Sequence, residues 1–96
     1  MSVYVDPPMD AGREPAGYIG RTRSRPLWAH MIADTEEELH AMAVAIRLRR
    51  AWCQPARRGR PPHYDLVPSK RRLAIQKGAI ALDRRAFVAR LREGRG

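Results

Sequence analysis

The chain contains four short apolar runs with the composition of β-strands. Residues 2–5 (SVYV) and 27–33 (LWAHMIA) are rich in β-branched, aromatic and aliphatic side chains, which favour strands. Residues 63–66 (HYDL) and 79–82 (AIAL) are shorter runs bounded by proline, glycine or charged residues. We therefore expect a small sheet of four strands.

Apolar residues recur at helical spacing in the segment that follows the second of these strands. Thr35 and Glu38 form an S/T-x-x-E capping box, which predicts a helix over about residues 36–48. The stripe expected to face the core comprises Leu39, Met42, Ala43 and Ile46.

Capping residues predict two further helices. Ser69 is expected to cap a helix over about residues 70–77 that stops at Gly78, because glycine is the usual residue of a left-handed C-terminal cap. Asp83 is expected to cap a third helix. Its inward-facing residues are Phe87, Val88 and Leu91.

The order of these elements predicts the fold class. Strands that alternate with helices indicate an α/β protein with a short, mostly parallel sheet and about three helices, in a three-layer or two-layer arrangement. Residues 1–96 are expected to form a single domain with flexible loops at about 7–26 and 55–61, which are rich in Gly, Pro and Arg. Ligands of such sheets bind beyond the carboxyl ends of the strands. Those ends carry Asp6, Asp34, Asp65 and Asp83.

Charge indicates the kind of partner. The 96 residues carry a formal net charge of +9, and all but two of the 19 basic residues are arginines. A positive field of this size attracts nucleotides, nucleic acids and other polyanions, and arginine suits bidentate contacts to phosphate. A GC-rich genome would produce the same arginine bias without any function, so both explanations stay open.

Other features favour a soluble cytoplasmic protein. The single cysteine, Cys53, rules out an intrachain disulfide, and the N-terminal residues show no secretory signal. The longest unbroken apolar run, residues 41–46, is far shorter than the roughly 20 residues of a membrane span. We expect no membrane association, and a small core with an open sheet edge is compatible with a homodimer.

Seven short motifs recur in this order in one family: VYVD, HMIADT, ELHA, W-x-Q, HYDL, SKR and GA. On these motifs the chain resembles the DUF4031 family, small bacterial and phage proteins of unknown function, over nearly its whole length outside residues 9–26 and 55–61. The resemblance implies the same small fold and a set of positions of interest, and it implies no activity. These positions are His30, Asp34, His40, Trp52, Gln54, His63, Tyr64, Asp65, Ser69 and Arg71.

Histidine and aspartate residues form a candidate metal site. His63 and Asp65 are two residues apart on a strand and face the same side, which suits two metal ligands or a carboxylate that orients an imidazole. His30 and Asp34 share a face if their strand extends that far, and His40 lies on the flank of the first helix, so all three histidines are expected to approach one rim. Such donors suit Zn²⁺, Mn²⁺ or Fe²⁺, so a divalent metal is a candidate cofactor. Its expected ligands are His30, His63 and Asp65. The structural alternatives are a core imidazole for His30, an i, i+4 partner of Glu36 for His40 and a helix cap for Asp34.

Basic residues at the start of the second predicted helix indicate an anion site. Lys70, Arg71 and Arg72 lie where the helix dipole is positive, which disfavours each cation by roughly 0.3–1 kcal/mol at low salt. A phosphate bound to the free N–H groups next to Ser69 would offset this cost. Neutralisation of one base by Asp65 is the alternative.

Three functions remain open from the sequence, and it does not decide whether the protein is an enzyme. The first is a small basic binding protein for a phosphate-bearing ligand, either a nucleotide or a nucleic acid. The second is a metal-dependent phosphodiesterase, because VYVD and GAIALDRRAF are distantly similar to PIN-type nucleases, which implies Asp6 and Asp83 as the carboxylates. The third is a phage or bacterial factor with a protein partner. The predicted ligand-binding residues are His30, Asp34, His40, Trp52, Gln54, His63, Tyr64, Asp65, Ser69, Arg71 and Arg72.

Overall fold

The structure is a computed structural model that describes residues 2–10, 27–58 and 60–93. Its elements are β1 (Val3–Val5), β2 (Met9–Asp10), β3 (Leu27–Ala33), α1 (Glu36–Ala45), a 3₁₀ turn (Arg50–Trp52), β4 (Tyr64–Leu66), α2 (Pro68–Gln76), β5 (Ile80–Ala81) and α3 (Arg84–Glu93). The predicted α/β class and the three helices are confirmed. Within the described ranges, no helix has the length and apolar character needed to cross a membrane.

The sheet is built around β3, the longest strand. β3 pairs antiparallel with β1, β2 and β4, while β1 also pairs in parallel with β5. Val5 lies opposite Met31, whereas Met9 lies opposite Trp28, so the register advances by one residue between β1 and β2. We interpret this offset as a bulge at residues 6–8, where two prolines cannot donate to the ladder.

The prediction of a mostly parallel sheet is wrong, because β1 and β5 form the one parallel pair among the described strands. β4 would run parallel to β3 if it followed α1 directly, but the chain reverses once more before β4 begins. Gln54 pairs antiparallel with His63, and Arg57 pairs antiparallel with Arg60. The chain therefore reverses direction between Gln54 and His63. It therefore enters β4 antiparallel to β3. This segment is rich in Pro, Gly and Arg, which predicts a loop, so the sequence pattern did not indicate the reversal.

The two faces of the sheet pack against different helices, which makes a three-layer fold. One face, here called the α1/α2 face, carries Val5 and Leu66 and contacts the buried residues of α1 and α2. The opposite face, here called the α3 face, carries Ile32 against Phe87 of α3. Side chains alternate along each strand, and polar residues therefore share the α3 face with Ile32. These residues are Asp6, His30 and Asp65.

Helix α1 begins as predicted and ends earlier. The Thr35 Oγ1 atom accepts the Glu38 backbone N–H at 3.2 Å and lies 3.0 Å from Glu38 Oε1, which confirms the capping box. The helix ends at residue 45, where the backbone closes a Schellman motif. Arg47 occupies its left-handed position with φ 64°, a conformation that usually requires glycine.

Helix α2 begins at Pro68, and the prediction that Ser69 caps it is wrong. Val67 occupies the cap position and makes no side-chain cap hydrogen bond. Proline is well suited to the first helical position because its missing N–H would have no intrahelical partner there. The other predicted caps are confirmed: Gly78 ends α2 with φ 111°, and Asp83 Oδ1 accepts a backbone N–H in the first turn of α3 at 2.8 Å.

The structure describes the two predicted loops only in part. Residues 9–10 form β2, so this portion of the predicted 7–26 loop is strand, and two residues were too few to show a strand pattern. Residues 11–26 lie outside the described part of the chain. In the 55–61 segment, Arg57 and Arg60 exchange two backbone hydrogen bonds of 3.0 and 2.8 Å across a tight turn.

Candidate functional site

Four polar residues lie together on the α3 face, on and beside three strands. Asp6 follows β1, His30 lies in β3, and Asp65 lies in β4 directly opposite His30. His63 precedes β4, and its ring centroid is 5.6 Å from that of His30. We call Asp6, His30, His63 and Asp65 the polar row.

Asp6 fixes the position of His30 through two hydrogen bonds. Its Oδ1 atom accepts the His30 backbone N–H at 2.6 Å, and its Oδ2 atom lies 2.9 Å from His30 Nδ1. The hydrogen bond to the Asp6 carboxylate raises the pKa of His30, against burial and the positive charge of Arg84, which lower it. An ionised carboxylate only accepts hydrogen bonds, so the proton of neutral His30 lies on Nδ1 and the lone pair on Nε2.

His63 has a similar arrangement. Its Nδ1 atom lies 3.4 Å from the Pro61 carbonyl oxygen, while its Nε2 atom lies 3.8 Å from Asp65 Oδ1. Burial lowers the pKa of His63, and the charge of Arg60 acts in the same direction, so the neutral ring is favoured. The other oxygen of Asp65, Oδ2, accepts a hydrogen bond from Gln54 Nε2 at 3.4 Å. His30 Nε2 lies 3.9 Å from the same Asp65 Oδ1 atom, so both imidazoles direct Nε2 towards one carboxylate oxygen.

A cleft of about 240 Å³ opens between the sheet and α3 over part of the polar row. Arg60 and Arg84 contribute positive charge to its lining, and Arg84 Nη2 is 2.9 Å from Met9 Sδ. The cleft therefore combines the Asp6 carboxylate, which is hydrogen-bonded to His30, with two arginines, two histidines and an apolar wall. That wall consists of Ile32, Phe87, Val88 and Leu91.

Comparison with known proteins agrees with the motifs of the sequence. The model of the family described as "Protein of unknown function (DUF4031)" matches residues 3–94, a range that contains every element of this fold. The chain belongs to the DUF4031 family. No curated protein and no solved structure matched it. The family description assigns no activity, so the site has to be interpreted from its own chemistry.

Four of the predicted site residues of this DUF4031 protein come together. His30, Gln54, His63 and Asp65 are connected by the contacts described above. Among the predicted metal ligands, His30, His63 and Asp65 each offer a donor atom, and these atoms lie within 4.8 Å of one another. The alternation of residues 63 and 65 on one face was the signal that located them.

Three other predicted residues lie on the opposite side of the sheet. The His40 Nδ1 atom is 2.8 Å from the hydroxyl oxygen of Tyr64, whose side chain is buried in the core of the α1/α2 face. Trp52 packs against the same core, with the guanidinium of Arg49 5.9 Å from its ring centroid. The prediction that all three histidines approach one rim is therefore wrong for His40, because α1 crosses the other face.

Asp34 lies away from the polar row, beyond the end of β3. Its Oδ2 atom accepts the Ser2 backbone N–H at 2.8 Å, and its Oδ1 atom lies 3.8 Å from Arg90 Nη1. It lines a second cleft, of about 270 Å³, that none of the histidines lines. Asp34 therefore connects the N-terminal strand to α3.

The cations of α2 are engaged differently from the anion site expected there. Lys70 Nζ donates to the Ile46 carbonyl oxygen at 2.8 Å, at the C-terminal end of α1. Arg71 Nε donates to the main-chain oxygen of Asp6 at 2.9 Å. Ser69 and Arg72 are exposed. Two of the three predicted phosphate-binding cations thus bind backbone carbonyls, and Arg71 holds the polar row in place.

The predicted site omitted three residues that the fold brings to it. Asp6 is 3% exposed and was considered only as a nuclease carboxylate, although its alternation with Tyr4 along β1 places it on the α3 face. Arg60 lies in the predicted 55–61 loop, and Arg84 lies in the third predicted helix, where it was given no role. The sequence carries no signal for these two, because their position depends on how α3 packs on the sheet.

Proposed function

We propose that this protein binds a phosphate-bearing ligand, a nucleotide or a nucleic-acid strand, in the cleft between the sheet and α3. The observation that carries the proposal is the pair of arginines beside two histidines in one cleft, Arg60 and Arg84 with His30 and His63. Guanidinium groups bind phosphate through paired N–H donors, which fits them to hold the phosphate of such a ligand.

The rest of the cleft suits the organic part of such a ligand. A volume of about 240 Å³ is slightly below the ~300–1,000 Å³ of typical small-molecule sites, which favours a single nucleotide unit over a large cofactor. The apolar wall contributed by α3 supports a nucleobase or sugar while the arginines hold its phosphate. The net charge of +9 adds long-range attraction for a polyanionic strand.

The cleft replaces the start of α2 as the proposed site. Lys70 and Arg71 donate to carbonyl oxygens, so two of the cations expected to hold an anion beside Ser69 are already engaged. Arg72 is exposed on the same helix and offers a matched control, since its replacement removes one positive charge outside the cleft.

The test uses a fluorescently labelled single-stranded oligothymidylate and anisotropy at several salt concentrations. Each phosphate contact to a single strand contributes about 0.7 to the slope of log K against log salt. The double variant Arg60→Gln, Arg84→Gln is expected to bind more weakly and to lower the slope by about 1.4. Arg72→Gln is expected to change both quantities less. Unchanged affinity and slope in the double variant would remove the basis of the proposal.

A metal-dependent phosphodiesterase is a second candidate, and the cluster of His30, His63 and Asp65 beside the two arginines favours it. Hydrolysis would add water to phosphorus, break one P–O ester bond and transfer a proton from the water to the leaving oxygen. The carboxylates inferred from nuclease similarity do not both serve this cluster, because Asp83 caps α3.

This second function is tested by incubating the oligonucleotide with protein and Mg²⁺, Mn²⁺ or Zn²⁺. Cleavage that disappears in His63→Gln, while oligonucleotide binding persists, would support it. The variant, purified in parallel, also controls for contaminating nucleases. Intact oligonucleotide with every ion would exclude the enzyme and leave the binding function standing.

A further inference from the structure

We infer that His30, His63 and Asp65 form a binding site for one divalent transition-metal ion, held through His30 Nε2, His63 Nε2 and Asp65 Oδ1. The inference depends on the arrangement of these donors and holds whether or not the cleft binds phosphate. Among the described residues, this is the group of three or more His, Cys, Asp or Glu side chains whose donor atoms converge closely enough for a metal ion.

The distances are close to those of a metal site. Asp65 Oδ1 lies 3.9 Å from His30 Nε2 and 3.8 Å from His63 Nε2, and all three donors lie within 4.8 Å of one another. Zinc bonds of about 2.0–2.2 Å place neighbouring donors of a tetrahedral site about 3.3–3.6 Å apart. Small rotations of the two imidazoles therefore suffice to bring the three donors onto one ion.

The groups around the donors prepare both imidazoles for a metal. His30 Nδ1 faces the buried Asp6 carboxylate, and His63 Nδ1 faces the Pro61 carbonyl oxygen, so the neutral form of each ring carries its lone pair on Nε2. Metal-bound histidines characteristically donate their other N–H to a carboxylate or carbonyl. The Gln54 amide likewise orients Asp65 through its second oxygen.

The donor set indicates the class of ion. Two imidazoles and one carboxylate, with no sulfur, suit Zn²⁺, Fe²⁺ and related ions better than Mg²⁺ or Ca²⁺, which prefer oxygen donors. Three protein ligands leave coordination positions open for water or a ligand oxygen. The ion has access from solvent, because the His30 side chain is 37% exposed at the cleft. The charges of Asp6 and Asp65 together balance a divalent ion, and Arg60 and Arg84 line the cleft beside it.

The test is a calorimetric Zn²⁺ titration of the full chain after treatment with a chelator. The wild type is expected to bind one ion per chain. His63→Gln and Asp65→Asn each replace a direct metal ligand. Each is expected to weaken Zn²⁺ affinity by more than the about 10–100-fold that follows loss of a residue that only hydrogen-bonds a ligand. His40→Gln is the matched control, because it removes a histidine from the opposite face. Equal losses in His40→Gln and His63→Gln would indicate adventitious histidine binding and overturn the inference.

A second measurement needs no variant and decides the question if a substituted chain fails to fold. In ¹⁵N-labelled wild type, Zn²⁺ is expected to shift the Nε2 resonances of His30 and His63 and to leave the imidazole of His40 unchanged. A wild type that takes up no Zn²⁺, or one whose shifts fall on His40, would contradict the site.

Discussion

Replacing Asp6 with asparagine should destabilise the fold and change the tautomer of His30. The asparagine oxygen can still accept the His30 backbone N–H, but its NH₂ group then faces His30 Nδ1 and requires that nitrogen to accept. The proton of His30 consequently moves to Nε2, which removes the lone pair directed at Asp65. The one substitution therefore affects both the stability of the sheet and the proposed metal site.

The magnitude follows from the two hydrogen bonds, of 2.6 and 2.9 Å, that Asp6 makes to His30. Hydrogen bonds to charged groups contribute about 1.5–3 kcal/mol and neutral ones about 0.5–1.5 kcal/mol. Asp6 is 3% exposed, so removing its charge also removes a desolvation cost. We therefore expect a net loss of about 1–2 kcal/mol. Asp6 hydrogen-bonds the proposed metal ligand His30, so its replacement should also weaken Zn²⁺ affinity by about 10–100-fold.

Urea denaturation and NMR measure the two effects separately. With an m value of about 1–1.5 kcal/mol/M for a chain of this size, the midpoint should fall by roughly 0.7–2 M. Long-range ¹H–¹⁵N spectra should report a proton on His30 Nε2. Asp83→Asn is the control, because asparagine caps helices as well as aspartate does. An unchanged midpoint together with a proton still on Nδ1 would refute the reasoning.

Three further predictions concern the helix ends and the thiol. Lys70→Met should lower the free energy of unfolding by about 1–2 kcal/mol in urea melts, because it removes the charged donor to the Ile46 carbonyl oxygen at the end of α1. Lys77→Met removes an exposed lysine at the C-terminal cap of α2 and should cost less. Arg47 and Gly78 both have left-handed backbone, with φ values of 64° and 111°, which costs a residue other than glycine about 1 kcal/mol. Arg47→Gly should therefore raise the melting temperature and Gly78→Ala should lower it. Melting temperatures that change in the same direction would contradict these φ values. Burial raises the pKa of Cys53, so iodoacetamide at pH 8 should alkylate it several-fold more slowly in the folded chain than in urea, and equal rates would show an accessible thiolate.

Local patterns predicted most of the individual elements. The capping box at Thr35, the glycine stop at Gly78 and the aspartate cap at Asp83 each depend on a few neighbouring residues, and all three are confirmed. Strand direction depends instead on how many times the chain reverses between strands. The turn between Gln54 and His63 contains only loop-like residues, so no sequence pattern indicated that β4 would run antiparallel to β3.

Strand alternation predicted the part of the candidate site that lies on β3 and in or next to β4. His63 and Asp65 share a face because they are two residues apart, and His30 joins them because β3 pairs with β4 in the observed register. His40 was misplaced because a helix flank alone does not show which side of a sheet the helix covers. Arg60 and Arg84 reach the cleft through tertiary packing, which no local pattern encodes.

The most direct test of the central claim is a titration of ¹⁵N-labelled protein with a short single-stranded oligothymidylate, followed through backbone and side-chain chemical shifts. The account predicts that the largest shifts cluster at the cleft, on His30, His63, Arg60 and Arg84. Shifts that concentrate at the start of α2, on Ser69 and Arg72, with the cleft unaffected, would contradict it.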